Sequence, residues 1–278
     1  MFKSDQYELL DFGQGRKLER FGRHMLDRPS PAAEGFHRAR PELWTTATAR
    51  YDRTTGEQGR WSSTQQFDEP WNIKHEALAF ELKRTDFGHV GLFPEQAENW
   101  DWLAQQIRSV PNPPRVLNLF AYTGASTLAA ASAGAEVTHV DAAANIVAWA
   151  RRNAELSGLA AAPIRWIDED APTFVRRELK RGRQYQGIIL DPPSYGHGPK
   201  GQVWKLEQHL PALLRDCVAL CSGRPQFVLL TCHTSGLGPS DVATMLGEAV
   251  EASVAGRELA IASATGSRLP SGTMARFG

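Results

Sequence analysis

The sequence predicts an α/β protein: a parallel sheet with helices on both faces, joined to a small β-rich N-terminal subdomain. Three observations carry that prediction. From Glu95 onward short apolar runs alternate with longer helical patterns, as in repeated strand–helix units. Before that point the chain holds only short alternating segments broken by Gly and Pro. The residues directly after the apolar runs are glycines, acids and prolines, where open α/β sheets keep their ligands. A chain of 278 residues has room for one large domain, or a catalytic domain with a satellite. The division is expected between residues 1–90, a candidate substrate-binding subdomain, and residues 91–278.

In the first part, Tyr7 to Leu18 reads as two short strands around a Gly-containing turn. Arg28-Pro29-Ser30-Pro31 reads as a loop, because two prolines so close interrupt either regular structure. Arg53 to Trp61 reads as a hairpin turn, and Ala79 to Arg84 alternates like a half-exposed strand. In the second part, a helix is expected over Trp100 to Val110, then a buried strand over Arg115 to Phe120. A helix from Ser126 to Ser132 leads to a strand from Glu136 to Val140, and a helix from Ala143 to Ser157 follows. Ile164 to Ile167 is strand-like, Thr173 to Arg181 helical, and Gly187 to Leu190 an apolar strand that ends at Asp191. Leu206 to Leu220 is helical and Phe227 to Thr231 is another strand. No internal repeat or low-complexity segment is evident.

The composition, 42% hydrophobic and 22% charged, is that of an ordinary globular protein. No stretch approaches the roughly 18 apolar residues of a membrane span, and the N-terminus lacks a signal-peptide pattern, so a cytoplasmic location is expected. The three cysteines, Cys217, Cys221 and Cys232, argue against a disulfide framework and lack partners at zinc-ligand spacing. No metal is expected. Zero formal net charge lowers the expectation of nucleic-acid binding without excluding a local basic patch.

Four strand ends carry the chemistry. After the first comes Phe120-Ala121-Tyr122-Thr123-Gly124-Ala125-Ser126, a tight turn that lets backbone approach a ligand at a helix N-terminus. It lacks the three spaced glycines of a dinucleotide fingerprint, which argues against nicotinamide or flavin; alone it also reads as an ordinary βα turn. The second strand ends in Asp141, whose carboxylate can accept both ribose hydroxyls of a nucleoside or can cap the next helix. Within Asp168-Glu169-Asp170-Ala171, an acid can accept from an adenine amino group or simply face the helix dipole. Asp191-Pro192-Pro193-Ser194-Tyr195-Gly196 is the most specific signal. Its prolines fix the backbone and donate no N–H, so Asp191 and exposed carbonyls can position an acceptor on which Tyr195 stacks.

These stretches, with His89-Val90-Gly91-Leu92-Phe93-Pro94-Glu95-Gln96, resemble class I S-adenosylmethionine (SAM)-dependent methyltransferases. They are closest to the bacterial 23S ribosomal RNA large-subunit methyltransferases that include cytosine-C5 enzymes. The resemblance runs from about Gly88 to the C-terminus and implies a Rossmann-like sheet and SAM as cofactor. It places Phe93, Gln96, Asn118, Phe120, Tyr122, Thr123 and Gly124 around the methionine part of SAM. Asp141 with Ala142 would hold the ribose, and Asp170 with Ala171 the adenine. Asp191, Pro192 and Pro193, with Tyr195, would border the methyl group and the acceptor, where in-line positioning supplies much of the catalysis.

The sequence departs from that family in three places. The cytosine-C5 enzymes carry a nucleophilic cysteine in a stretch like Leu-Thr-Phe-Ser-Cys-Ser-Gly-Leu; here the register reads Leu230-Thr231-Cys232-His233-Thr234-Ser235-Gly236-Leu237. Thr234 takes the nucleophile's position, and an unactivated hydroxyl does not replace a thiolate. Cys232, two residues earlier, would share its face in an extended segment. No N-terminal RNA-binding module is apparent, and Ser194 replaces a family-like lysine. Direct methyl transfer to RNA is the leading expectation. A protein or small-molecule acceptor, and an inactive SAM-binding RNA-associated module, are the alternatives. His197 to Lys205 reads either as a lid that stacks a base on Trp204 or as a surface loop with Trp204 packed on the core. The basic run Arg176, Arg177, Lys180, Arg181 and Arg183 reads first as a solvated face.

Overall fold

The computed structural model describes residues 1–55, 58–64, 66–197 and 201–278. The chain divides into two compact units, Met1–Ala97 with Ala260–Ser271, and Glu98–Leu259 with Gly272–Gly278.

The first unit is β-rich. Strands β1 (Tyr7–Gly13), β2 (Arg16–Phe21), β3 (His24–Pro29), β4 (Ala49–Thr55) and β5 (Gln58–Ser63) form one sheet in that order. Gln14 and Gly15 both have positive φ, 55° and 72°, the backbone that a two-residue hairpin between right-twisted strands requires. The sequence's strand–turn–strand over Tyr7 to Leu18 is this hairpin. Of the turn expected at Arg53 to Trp61, Gly56 and Glu57 lie outside the described residues. Glu19 is fully buried, where it accepts from the Tyr7 hydroxyl at 3.0 Å and from Arg28 Nε at 2.9 Å. A second hairpin joins β6 (Trp71–His75) and β7 (Leu78–Leu82).

The second unit carries the predicted alternation. Helix α1 (Ala97–Ser109) leads to β8 (Arg115–Leu119), α2 (Ala125–Ser132), β9 (Glu136–Asp141), α3 (Ala144–Leu156) and β10 (Ile164–Asp168). Then follow α4 (Ala171–Lys180), β11 (Gly187–Leu190), β12 (Tyr195–His197), β13 (Val203–Lys205), α5 (Leu206–Leu220) and β14 (Phe227–Cys232). The chain ends with α6 (Pro239–Val250), β15 (Ala255–Ala262) and β16 (Arg268–Phe277). The seven-stranded sheet runs β10-β9-β8-β11-β14-β16-β15. Strands β10, β9, β8, β11 and β14 are parallel, and β16 runs antiparallel to β14, which the strand–helix pattern did not show.

Alternate residues of the buried strands feed two cores. Val116, Ile189 and Leu229 meet Leu103 and Ile107 of α1. Leu117, Ile188 and Leu230 meet Phe174 of α4, Leu210 and Leu214 of α5, and Leu246 of α6. This two-sided burial is the source of the near-continuous apolar runs in these strands. Strand order reverses at β8, which has β9 on one side and β11 on the other. Such a switch opens a crevice at the carboxyl ends of the two diverging strands. The register aligns Leu119 with Leu190 and with Val140, and Leu190 with Leu230. Phe120, Asp141, Asp191 and Thr231, each one residue further on, therefore lie at one level at the carboxyl ends of these strands. Among the described residues no helix is long and apolar enough to cross a membrane.

Candidate functional site

The loop after β8 is bent sharply. Phe120, Tyr122 and Gly124 have φ of 55°, 49° and 88°. Two non-glycine residues in the left-handed region cost on the order of 1–3 kcal/mol each and persist only where the surroundings hold them. Here Ala121 N donates to Val140 O at 3.0 Å, and Tyr122 N donates to Asp141 Oδ2 at 2.9 Å. The Asn153 amide of α3, fully buried, donates to Thr123 O at 2.9 Å. A Cβ on Gly124 would lie 3.0 Å from Ala150 Cβ, so the glycine serves both the turn and the close approach of α3.

Asp141 is the hub of this loop. Its Oδ1 accepts from Ala143 N at 3.0 Å, while Oδ2 takes Tyr122 N. Burial pushes the carboxyl above its ordinary value, and the N–H groups of Ala143, Tyr122 and Ala142 pull the other way. A carboxylate oxygen has two lone pairs, so the group can take two further donors. A ribose diol supplies two such donors, and a desolvated carboxylate gains from both; the donor set fits a nucleoside cofactor. Ala143 rather than Asp141 is the N-cap of α3.

Asp170 is the N-cap of α4: its Oδ1 accepts from Thr173 N at 3.0 Å and from the Thr173 hydroxyl at 2.6 Å. Ala171 is buried behind it. Asn118 turns its amide into the sheet's interior. Its Nδ2 donates to the Thr127 hydroxyl at 2.8 Å, which lies 2.9 Å from His139 Nδ1. All three side chains are buried, and burial drives the His139 imidazole down to about 3, so it is neutral. Asn118 thus supports the loop from beneath. Phe93 and Gln96 fold with the first unit, on the 3-10 turn Pro94–Gln96, where Phe93 lies 5.4 Å from the His89 ring and Gln96 is buried.

Asp191 stands at the end of β11, on the other side of the switch point. Its Oδ1 accepts from the Thr231 hydroxyl at 2.6 Å and lies 3.4 Å from His233 Nε2. Pro192 is buried and Pro193 exposed. The Pro193 carbonyl accepts from the Trp204 indole N–H at 2.7 Å. Tyr195 opens the small β12–β13 hairpin with 54% of its surface exposed. Trp204 is only 6% exposed, 5.0 Å ring to ring from Phe120, which favours core packing over base stacking. Of the candidate lid, Gly198, Pro199 and Lys200 lie outside the described residues.

The structure also places the candidate nucleophiles. Cys232 is 1% exposed in the core beneath β14, and burial pushes its thiol up to about 12, with Asp191 adding to the rise. Thr234 is drawn to Ser194, hydroxyl to hydroxyl at 2.7 Å. Cys217 and Cys221 are buried free thiols. In the basic run, Arg177 pairs with Glu169 at 2.7 Å, and Arg181 with the buried Glu178 at 3.4 Å. Sequence reading passed over Asn153 and Thr231. Asn153 left one usable signal, a lone amide on the apolar face of α3.

A family model described as S-adenosylmethionine-dependent methyltransferase matches residues 43–251. The crystal structure of a SAM-dependent methyltransferase from Agrobacterium tumefaciens is similar over 98% of this chain and 90% of that one, at 37% identity and a TM-score of 0.91. The ribosomal RNA large subunit methyltransferase K/L of Pseudoalteromonas atlantica is 34% identical over 50% of this chain and 19% of that protein. Ribosomal RNA large subunit methyltransferase I of Aeromonas salmonicida is 34% identical over 39% of this chain and 27% of that protein. The chain thus matches a quarter or less of the length of the first of these relatives and little more of the second. With a matching fold at the switch point and a family model that spans most of its length, the chain belongs to the S-adenosylmethionine-dependent methyltransferases.

Proposed function

We propose that this enzyme methylates RNA, ribosomal RNA in the first instance, by direct transfer at Asp191-Pro192-Pro193. The observation that carries direct transfer is the state of the two candidate nucleophiles: Cys232 sits in the core with a thiol near 12, and Thr234 is bonded to Ser194. A pyrimidine C6 adduct needs an accessible thiolate, and neither residue offers one. RNA as acceptor is supported by the names of the relatives in two ribosomal RNA methyltransferase groups.

In this reading Asp141 and Ala142 hold the ribose of SAM, Asp170 and Ala171 border the adenine, and Phe120, Tyr122, Thr123 and Gly124 shape the methionine pocket. Asn118 acts through the loop it supports. SAM supplies an electrophilic methyl group. The chain's own task is to hold an acceptor in line with it: Asp191 and the Pro192 and Pro193 carbonyls orient the acceptor, and Tyr195 stacks on its plane. Residues 1–90 contribute acceptor binding, and the enzyme works in the cytoplasm.

The test is tritiated methyl transfer from SAM to protein-free ribosomal RNA, with nucleoside digestion of the product. Transfer without a covalent adduct on 5-fluorocytidine-substituted RNA is expected. A trapped protein–RNA adduct would refute direct transfer. Tight SAM binding without transfer to RNA would move the acceptor to a protein or small molecule, or leave a non-catalytic module.

A further inference from the structure

The C-terminal half of α4 and the turn after it carry an excess of positive charge. Residues 174–183 hold Arg176, Arg177, Lys180, Arg181 and Arg183 against the single acid Glu178, in a chain whose formal net charge is zero. Beside them, at the amino ends of β8, β9 and β10, lies a cleft of about 300 Å³, at the lower end of the range for ligand clefts. Arg115, Arg165 and Arg183 line it with Tyr185, Glu136 and Glu178. Its buried acid is already compensated: Glu178 accepts from the Tyr185 hydroxyl at 2.8 Å and from Arg165 at 3.0 Å, and Arg181 lies 3.4 Å away. Arg115 and Arg165 lie over aromatic rings, 5.7 Å from that of Tyr185 and 5.5 Å from that of Phe174, and Arg115 also donates to the Gln184 carbonyl. Arg183 is exposed, and among the described residues its guanidinium meets no carboxylate.

We infer that this cleft is an anchor for the RNA backbone: it takes a phosphodiester of the substrate, with Arg183 and Arg115 as its cationic donors. The inference rests on the RNA reading above and adds where the strand is held outside the reacting site. Four arginines, Arg115, Arg165, Arg181 and Arg183, stand in or beside the cleft against two glutamates, so a positive excess remains after every pairing described above. A guanidinium presents a rigid fork of N–H donors that matches phosphate oxygens, and one already stacked on a ring loses less freedom when it binds them. Glu136 is exposed and without a cation partner among the described residues, so it opposes the phosphate and limits the affinity. Distance decides the role. Glu136 begins β9 and Asp141 ends it, five strand rises apart or about 17 Å. A phosphate held at the amino end therefore governs how tightly RNA binds, not how fast the methyl group moves.

The experiment measures binding of the full chain to protein-free ribosomal RNA over a range of salt, for wild type, Arg183→Ala, Arg183→Glu and Glu136→Gln. Both positions are exposed, so the variants should fold and keep SAM affinity within about twofold. Arg183→Ala should lower the slope of log affinity against log salt by about 1, and Arg183→Glu should weaken RNA binding about tenfold. Glu136→Gln should tighten it. In single-turnover methyl transfer the defect of Arg183→Glu should vanish at saturating RNA. Unchanged RNA affinity and salt slope in Arg183→Glu would overturn the inference, and so would a transfer defect that persists at saturating RNA with binding intact. Loss of inorganic-phosphate binding in that variant, with RNA affinity intact, would assign the cleft to a free anion and overturn it too. Wild type that binds SAM but no RNA would instead sink the RNA reading itself, and the anchor with it.

Discussion

Replacing Asp141 by alanine tests the cofactor site at its centre. The wild-type carboxylate takes Tyr122 N at 2.9 Å and Ala143 N at 3.0 Å, and in the proposed complex two ribose hydroxyls as well. Charge-assisted hydrogen bonds contribute roughly 1.5–3 kcal/mol each, but water will re-solvate the hydroxyls in the space the side chain leaves. A net loss of about 1–3 kcal/mol in SAM binding follows, which is about 5-fold to 150-fold in Kd. Titration calorimetry reads it directly, and a Kd within twofold of wild type would refute the ribose role. Asp141→Asn adds a control through the carboxyl's raised pKa. A raised carboxyl contributes fully to stability below its ordinary 3.8 and loses that contribution as pH rises through the folded value. The Tm of Asp141→Asn without SAM should therefore gain on wild type from about pH 4 toward neutrality, while its SAM affinity falls. A Tm difference that is flat with pH would show that burial does not strain this carboxylate.

Three further outcomes are expected. Trp204→Phe, which keeps the ring packed near Phe120 and deletes the bond to the Pro193 carbonyl, should cost about 0.5–1.5 kcal/mol by urea unfolding yet lower turnover more than SAM affinity. Glu178 is fully buried; burial alone would raise its carboxyl, but the Tyr185 hydroxyl at 2.8 Å and Arg165 at 3.0 Å pull it below its ordinary 4.5. A depressed carboxyl stabilises above that value and loses its contribution as pH falls through the folded one, so Glu178→Gln should cost about 1–3 kcal/mol at pH 7 and the gap should close in acid. Finally, Cys217, Cys221 and Cys232 are buried with thiols raised by burial, so Ellman's reagent should find no fast thiol in the native protein and all of them in denaturant.

Much of the fold could be read from the sequence because the buried strands are apolar on both faces and each ends in a recognisable turn. Gly187 to Leu190 is legible for that reason, and so is Asp191 after it. The C-terminal pair β15 and β16 escaped because it is half exposed and β16 contains Pro270 and Gly272, which mask the period of two. Strands β12 and β13 escaped because three residues each cannot show a period. In the site, Asp141 was legible as an acceptor at a strand end, although the structure adds that its first partners are backbone N–H groups. Asp170 showed both of its possible roles, and its cap is the one visible in the bonds to Thr173. Asn118 lies in the strand the sequence expects over Arg115 to Phe120, but its bond to Thr127 joins side chains nine residues apart and has no local signature. Pairings such as His233 with Asp191 join residues from different strands and have no local signature.

One indole connects two loops that leave the sheet on opposite sides of the switch point. Trp204 packs on Phe120 and donates to the Pro193 carbonyl, so it reports the state of the cofactor loop to the acceptor loop. Thermodynamic linkage makes such a report reciprocal: whatever factor SAM adds to acceptor affinity, the acceptor must add to SAM affinity. A coupling carried by this indole would make each ligand's affinity depend on the other's presence by one common factor. Trp204→Phe should make the two ligands bind as strangers.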